Sequence, residues 1–401
     1  MRPAIRLPLR QPNPESEVMT LIDEPSRSAA DPGRLASAAM GSAKARLIAF
    51  YLPQFHPIPE NDEWWGAGFT EWTNTAKARP LFPGHYQPHV PADLGFYDLR
   101  LPETREAQAA LAREYGIEAF CYYHYWFAGR RILERPFNEV LASDRPDFPF
   151  CLCWANQSWT GIWHGAPNKV LIEQTYPGPE DHRRHFDFLL RAFTDRRYVR
   201  VEGKPLFMVY NPDELPAPQV VTDLWRDLAA RAGLPGLYLV AEHPSSNWDP
   251  RKRGFDATVT VRLPPRRAKM DSWITWRHPL RKLRYRLADR RGLPTIHQYE
   301  DAIQHMIAGR VAGIESFPCV IPNWDNTPRS AGNGMVLRGS TPEIFRKHLH
   351  DAIERVADVP VQRRFVFVKS WNEWAEGNHL EPDQVFGRGY LEAVRDELSR
   401  I

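Results

Sequence analysis

Two glutamates, Glu373 and Glu376, occur in a short segment of unusual composition near the end of the chain, Trp371 to Gly377. Cleavage of a glycosidic bond requires such a pair, because one group protonates the departing oxygen while the second acts as nucleophile or base. The flanking tryptophans would surround the pair with apolar surface and raise the pKa of one carboxyl, which keeps it protonated near neutral pH. The spacing alone is a weak signal, since both residues could also lie on the exposed surface of a turn.

The elements that must position this pair begin with a predicted buried strand at residues 365–370, which leads directly into the glutamate segment. Seven further runs share its apolar, β-branched or aromatic character and are predicted to be strands: residues 47–51, 117–123, 150–154, 205–210, 237–242, 257–261 and 318–321. Helical spacing of apolar residues occupies most of the intervals between them, at residues 101–115, 179–193, 220–232, 299–310, 342–357 and 390–400.

This alternation predicts the fold. Apolar strands separated by amphipathic helices indicate a parallel sheet covered by helices, and eight such units indicate closure into a (β/α)8 TIM barrel. An open, doubly wound sheet normally has a glycine-rich phosphate turn after its first strand, whereas residues 52–57 read LPQFHP. We therefore expect one α/β barrel domain over residues 45–401. Residues 1–44, rich in Pro, Ser, Ala and Arg, are predicted to be a flexible leader.

Polar and aromatic residues are concentrated just after the predicted strands, where the loops of such barrels build the active site. Aromatic rings for stacking, with amides, imidazoles and carboxylates for hydrogen bonding, suit a sugar, whereas the scarcity of Lys and Arg suits a nucleotide poorly. The alternative is that the bulky residues only fill a large core. The candidate substrate-binding residues are Tyr51, His56, Trp72, Tyr123, Trp126, Trp154, Asn156, Tyr210, Glu242, Trp324 and Asn372.

We expect neither a metal site nor a bound cofactor. The cysteines lack the paired spacing of a zinc site and are predicted to be reduced core residues; they are Cys121, Cys151, Cys153 and Cys319. The sequence also lacks the glycine-rich fingerprints of the common nucleotide-binding folds.

A basic insertion is predicted at residues 262–291, between the sixth and seventh strands. Its net charge is +9, from 11 Lys or Arg residues against Asp271 and Asp289, in a chain of net charge +3. Such a run is often only a solvated face, but basic residues mixed with tryptophan also suit an anionic membrane surface or a lipid-linked glycan. Nucleic acid is disfavoured by the modest overall charge and the lack of a nucleic-acid motif. Because the first residues lack the apolar centre of a secretory signal, we expect a cytoplasmic protein with peripheral contact at the inner membrane.

Four segments of the chain together resemble a known family: AFYLPQFH at residues 49–56, WWGAGFTEWTN at 64–74, FCYYHYWF at 120–127 and SWNEWAEG at 370–377. They resemble the WbsX-type proteins, which are related to glycoside hydrolase family 99, the endo-α-mannosidase family. The resemblance implies a (β/α)8 barrel and metal-independent, retaining cleavage of α-mannosidic linkages through a 1,2-anhydro sugar. By motif position it makes Glu373 the base toward the sugar 2-hydroxyl and Glu376 the acid and base at the leaving group.

Three functions stay open at this point. The first is a retaining glycosidase or transglycosidase acting on an α-linked, mannose-containing cell-surface or lipopolysaccharide glycan, with an oligosaccharide or polysaccharide as substrate. The second is a WbsX-type glycosyltransferase in O-antigen or exopolysaccharide biosynthesis, since members of that family are named as presumed transferases. The lack of a convincing Asp-x-Asp metal site disfavours a nucleotide donor but not a lipid-linked one. The third is a non-catalytic carbohydrate-binding barrel, which would need neither glutamate.

Overall fold

The computed structural model describes residues 44–161, 166–266 and 292–399 of the chain. The predicted leader lies outside the described residues except for Lys44, and so does the predicted basic insertion beyond its first five residues, 262–266. In the ranges that are described, no helix combines the length and the apolar character needed to cross a membrane.

Eight strands of the described chain form a closed parallel barrel. Each pairs with the next in sequence, and the last pairs with the first through registers such as Ala49 to Val368. The predicted TIM barrel is therefore confirmed, and each of its strands overlaps a predicted one. The strands are β1 (Arg46–Tyr51), β2 (Ile117–His124), β3 (Phe150–Trp154), β4 (Lys204–Val209), β5 (Tyr238–Glu242), β6 (Ala257–Thr260), β7 (Ser316–Val320) and β8 (Phe365–Val368).

Ten helices follow or connect the strands of the described chain, and seven of them have proline at the first or second position, where its fixed φ and missing N–H suit the first turn. They are α1 (Pro59–Trp65), α2 (Glu71–Lys77), α3 (Pro102–Glu114), α4 (Arg135–Ser143), α5 (Pro179–Phe193), α6 (Pro218–Arg231), α7 (Tyr299–Ile303), α8 (Thr327–Ser330), α9 (Pro342–Glu354) and α10 (Gly389–Ser399). The prediction of one helix over residues 299–310 is wrong in length, because α7 ends at Ile303. Between β5 and β6 the described chain has only a 3-10 turn, Pro250–Arg253.

Short strands add three features beside the barrel. Trp159–Gly161 and Ala166–Ile172 form an antiparallel hairpin after β3. Thr295–Gln298 and Met335–Arg338 form a parallel pair next to the seventh strand–helix unit. A two-residue strand, Arg200–Val201, pairs antiparallel with the start of β4.

The barrel interior is filled by large side chains, which is why the strands read as continuous apolar runs. All six residues of β1 are buried, and Phe50 packs on Phe367 of β8 with ring centroids 5.7 Å apart. Each buried ring of this kind stabilises the fold by about 1.5–3 kcal/mol relative to an exposed one. The cysteines are all free and buried, which confirms the prediction for Cys121, Cys151, Cys153 and Cys319.

Candidate active site

A cavity of about 500 Å3, the carboxylate cavity, lies at the C-terminal ends of the barrel strands, where the sequence predicts the ligand-binding face. Its wall contains three carboxylates, three cations and a set of aromatic rings. The charged members are Glu71, Glu373, Glu376, Arg266, Arg329 and Lys369, and the rings include Trp65, Phe69, Tyr123, Tyr125, Trp159, Tyr210 and Trp324.

After β8 the chain folds into the glutamate turn, residues 370–381, which brings both glutamates to the cavity. Asn372–Glu373 pairs antiparallel with Asn378–His379. The chain reverses at Gly377, whose φ is +57° and whose added Cβ would lie 3.0 Å from the Cβ of Asp325. A glycine is needed here because any other residue would be strained by both the backbone angle and that contact.

The last residue of the glutamate turn, Glu381, is a buried carboxylate that holds the turn in place through three hydrogen bonds. Trp374 Nε1 donates to its Oε2 at 2.7 Å, Gln108 Nε2 donates to its Oε1 at 2.6 Å, and the Tyr97 hydroxyl donates to its Oε2 at 2.8 Å. Burial raises the pKa of Glu381 to about 7, against the opposing effect of these donors. Glu381 therefore fixes the orientation of the indole of Trp374, which lies between the two cavity glutamates in the sequence.

Glu376 is held by an ion pair that joins three loops. Its Oε1 lies 2.7 Å from Nη1 of Arg329, and the same guanidinium lies 2.9 Å from Oε2 of Glu71, with all three side chains at most 8% exposed. Burial lowers the pKa of Arg329, but Glu71, Glu376 and Glu373 raise it more, so that it lies above its usual range. The loops that follow β1, β7 and β8 are thus tied together at the cavity wall.

Glu373 has a different environment from Glu376. Its Oε2 accepts a hydrogen bond from the Ser370 hydroxyl at 3.2 Å, and the side chain is buried. Burial and the neighbouring Glu376 carboxylate raise the pKa of Glu373 to about 7, although Lys369, Arg329 and the Ser370 bond lower it. A carboxyl with this pKa can exchange a proton near neutral pH, which general acid–base catalysis requires.

The floor of the cavity carries a buried cation, Lys369, at the end of β8. Its Nζ donates to the Tyr123 hydroxyl at 3.1 Å and lies 3.6 Å from Oε1 of Glu242. Burial lowers the pKa of Lys369, but Glu242, the two tyrosines Tyr123 and Tyr210, and Glu373 raise it more, so that it lies well above its usual range. Lys369 is therefore charged.

Five of the residues predicted for the site line the carboxylate cavity: Tyr123, Tyr210, Trp324, Glu373 and Glu376. Their convergence follows from the fold, because β2, β4, β7 and β8 all point their C-terminal ends to the same side of the barrel. The catalytic and binding roles assigned to them stay predictions.

Two predicted residues lie just behind the wall and support it. Glu242 is the counter-ion of Lys369. Asn372 holds the glutamate turn against the end of β1, since its Oδ1 accepts from the Leu52 amide at 2.7 Å and its Nδ2 donates to the Leu52 carbonyl at 3.1 Å. Direct contact of either residue with substrate stays a prediction.

The remaining six predicted residues are not in the cavity wall as the described ranges form it. Four use their polar atoms for internal bonds: Tyr51 donates to Gln108, Trp72 to the Tyr97 carbonyl, Trp126 to Asp181 and Trp154 to the Trp126 carbonyl. Asn156 bonds both main-chain groups of Asn211 and the Tyr176 hydroxyl. His56 is 1% exposed, and its burial lowers its pKa to about 4. Their predicted substrate contacts stay predictions, and each has a packing role.

Three charged wall residues are not among the candidate site residues predicted from the sequence: Glu71, Arg329 and Lys369. Glu71 lies within one of the four family segments, and Lys369 directly precedes another, so their positions carried a signal. Arg329 follows the predicted seventh strand by eight residues and had no local pattern to mark it. Only the fold reveals that it bridges two carboxylates that are 258 and 47 residues away.

Among the described residues, three buried side chains at the glutamate turn offer donor atoms that could hold a metal ion. One nitrogen each of His89 and His379 and one oxygen of Asp383 lie within 4.8 Å of one another, and all three residues are buried. The His89 Nδ1 and His379 Nε2 atoms are 2.9 Å apart, and the ring centroids are 5.2 Å apart, so the two nitrogens point at each other as in a hydrogen bond. His379 Nδ1 in turn bonds the Glu381 carbonyl at 2.9 Å. The cluster thus connects the loop before α3 to the glutamate turn.

A closed barrel whose mouth combines paired buried carboxylates with aromatic rings is an architecture of carbohydrate-active enzymes. The family comparison agrees, because the profile of the family described as Glycosyltransferase WbsX matches residues 47–394. The chain belongs to the WbsX family, which confirms the resemblance of its four segments.

The two curated relatives of this chain are about twice as long as the region they share with it. Two proteins described as "Uncharacterized protein WxcX", from two strains of Xanthomonas campestris pv. campestris, are each 41% identical to it over 357 residues, which is 89% of this chain and 50% of the relative. The chain therefore spans about half the length of the curated relatives it matches.

Solved structures support the fold. A glycoside hydrolase-like protein has a TM-score of 0.54 and 16% identity, covering 89% of this chain and 94% of its own. The family 99 endo-α-mannosidase from Bacteroides thetaiotaomicron, in complex with bis-Tris propane, has a TM-score of 0.53 and 15% identity, covering 88% of this chain and 95% of its own. The TM-scores show that these proteins share the barrel fold with this chain. Because the sequence identities are low, the similarity extends to the fold alone.

Proposed function

We propose that the chain is a retaining glycosidase or transglycosidase acting on an α-linked, mannose-containing glycan of the cell surface or of lipopolysaccharide. One observation carries the proposal: Glu373 and Glu376 lie in the wall of one cavity, both buried, and have unlike partners. Two carboxyls in different environments are what a reaction with separate acid and base roles needs.

In the proposed first step Glu373 removes the proton of the sugar 2-hydroxyl. The freed oxygen attacks the anomeric carbon as the bond to the leaving oxygen breaks, and Glu376 gives its proton to that oxygen. In the second step Glu376 takes a proton from water or from an acceptor hydroxyl, whose oxygen opens the 1,2-anhydro ring, and Glu373 returns the proton to the 2-oxygen. A pKa of about 7 suits Glu373 for accepting and returning a proton near neutral pH.

The cavity supports a glycan as the substrate. Its volume, about 500 Å3, falls in the range of about 300–1,000 Å3 typical of ligand pockets. Aromatic rings in the wall offer flat apolar faces for sugar stacking, as Trp65, Trp159 and Trp324 do. Two of the three wall cations, Arg329 and Lys369, are paired with carboxylates, which leaves the reaction centre poorly suited to a highly charged sugar.

A WbsX-type glycosyltransferase in O-antigen or exopolysaccharide biosynthesis is the second candidate, favoured by the description of the family. Transfer to a sugar and transfer to water use the same two carboxylates in the scheme above. We propose a cytoplasmic, membrane-peripheral location for either activity, with the basic insertion at 262–291 meeting an anionic membrane or a lipid-linked glycan. Deletion of residues 273–291 should then abolish cosedimentation with anionic liposomes, and unchanged binding would refute this contact.

The deciding experiment compares Glu373→Gln and Glu376→Gln on α-mannosyl fluoride and on α-mannosides with a poor leaving group. Fluoride departs without a proton, so Glu376→Gln should be rescued on the fluoride and Glu373→Gln should stay inactive. Mass spectrometry of the products formed with an added oligosaccharide acceptor distinguishes transfer, which gives an extended acceptor, from hydrolysis, which gives the free sugar. Glu106→Gln, on the exposed face of α3, is the control and should behave as the parent.

The ion pair between Glu376 and Arg329 favours the reverse assignment, with Glu373 as the acid. Rescue of Glu373→Gln alone by fluoride would establish that reversal. Full turnover of both variants on the poor leaving group would refute a catalytic role for the pair. Sugar binding by a parent protein that turns over none of these substrates would favour the non-catalytic barrel.

A further inference from the structure

Lys369 is a buried cation in the cavity wall that the catalytic scheme does not use. The side chain of Lys369 is only 6% exposed, yet the residue lines the cavity. It is fixed from several sides: by the Tyr123 hydroxyl at 3.1 Å, by Glu242 at 3.6 Å, and by the ring faces of Phe50 and Tyr210 at 5.3 and 5.2 Å. A charge that is so costly to bury needs a compensating function or partner.

Lys369 lines the same carboxylate cavity as Glu373, and other charged and polar groups also face Glu373. From the glutamate turn it faces Ser370 and the like charge of Glu376, and from the loop after β7 it faces Arg329. Three tyrosines contribute only neutral hydroxyls, and their pKa values are all raised: Tyr123 of β2, Tyr125 just after β2 and Tyr210 just after β4.

The two cations that lower the pKa of Glu373, Arg329 and Lys369, differ in the number and distance of their carboxylate partners. Arg329 bonds two other carboxylates, Glu71 and Glu376, at 2.9 and 2.7 Å. Lys369 has one carboxylate at contact distance in the described chain, Glu242, and at 3.6 Å it is outside the usual hydrogen-bond length. One oxygen of Glu242, Oε2, is buried and has no hydrogen-bond partner among the described residues. Lys369 is thus the less neutralised of the two cations.

We propose that Lys369 is a positioning residue that holds negative charge on Glu373, and that Glu242 sets the strength of this effect by partly neutralising Lys369. The inference rests on the proposed role of Glu373 as the base. The Glu376 carboxylate, in the same cavity wall, suppresses the ionisation of Glu373, and a base must be ionised to act. The lysine counteracts that suppression, and its contacts with Tyr123 and Glu242 hold it in place in the cavity wall.

The test titrates Glu373 without any substrate. The infrared carbonyl band of its protonated form is isolated by subtracting the spectrum of the Glu373→Gln protein in each background. Lys369→Gln should move the midpoint upward by about one pH unit or more, because an opposite charge nearby lowers a carboxyl pKa by about that much. Glu242→Gln should move it downward, because Lys369 is then less neutralised. The double variant should fall between the two.

Opposite shifts in the two single variants are the signature that a merely structural role cannot produce. Lys369→Arg, which keeps the charge, should stay within about half a pH unit of the parent, and circular dichroism of all four variants checks the fold. Shifts of the same sign in both single variants, or no shift in either, would overturn the inference. A shift as expected in a protein that lacks turnover would leave the charge effect established and refute only the proposed function.

Discussion

The raised pKa of Glu373 predicts that this residue destabilises the folded protein at neutral pH. Its pKa is about 7 in the folded protein and about 4.5 in the unfolded chain. As pH rises from 4.5 to 7, Glu373 ionises in the unfolded state but stays protonated in the folded state, so the free energy of the unfolded state falls relative to that of the folded state. The cost is absent below pH 4.5 and complete above pH 7. At about 1.4 kcal/mol per pH unit, it reaches about 3 kcal/mol.

Glu373→Gln removes this cost because glutamine does not ionise. We expect the variant to gain about 2–3 kcal/mol of unfolding free energy relative to the parent between pH 5 and pH 8. Urea denaturation followed by tryptophan fluorescence at both pH values measures the difference. Glu106→Gln, whose exposed carboxyl lies 3.7 Å from Arg145, should change by less than about 1 kcal/mol over the same interval.

A stability difference between Glu373→Gln and the parent that does not change with pH would refute this prediction. If Glu373→Gln alters stability equally at pH 5 and pH 8, Glu373 titrates near its ordinary pKa and is not the poised base of the proposed mechanism. A stability gain accompanied by lost turnover would instead identify a functional group kept at the expense of stability.

Two further perturbations test how the glutamate turn is held. Arg329→Met removes the cation that pairs with Glu71 and Glu376 and should lower the unfolding free energy by about 3–5 kcal/mol, measured by thermal or urea unfolding. Lys347→Met is the control: both side chains of its ion pair are more than half exposed, so it should cost at most about 1 kcal/mol. Gly377→Ala and Gly95→Ala share nearly the same φ, +57° and +61°, but only Gly377 has an atom within 4 Å of the added Cβ. Both should lose about 1 kcal/mol of stability, and only Gly377→Ala should also reduce turnover, by crowding Asp325.

The barrel was predictable because its strands are buried on both faces. β3 was predicted with the observed ends, Phe150–Trp154, and β8 differs only in that the chain has left the sheet by Lys369. The short helices α1 and α2 were not predicted, since seven residues are too few to show a clear helical period. The length of α7 was overestimated because the pattern continues past Ile303 into turns.

The site was predictable only where one strand end carries the chemistry. Glu373 and Glu376 follow β8 directly, so their exposure to the cavity follows from the fold class. The partners of these residues could not be predicted in this way, because the bond from Arg329 to Glu71 joins residues 258 positions apart. The burial of Trp126 and Trp154 behind the wall depends on side-chain directions that a strand prediction does not contain.

The ion pairs of Arg329 with Glu71 and Glu376 mean that one part of the cavity wall can change only as a unit, whereas the rest of the wall can change residue by residue. Loops after β1, β7 and β8 share one guanidinium, so an altered residue in any of them disturbs the other two. The hairpin after β3 contributes Trp159 and Leu171 to the same wall and carries an exposed Val170. Diversification of glycan preference within the family should therefore concentrate in this hairpin, where new side chains can reach the ligand while the reaction chemistry stays intact.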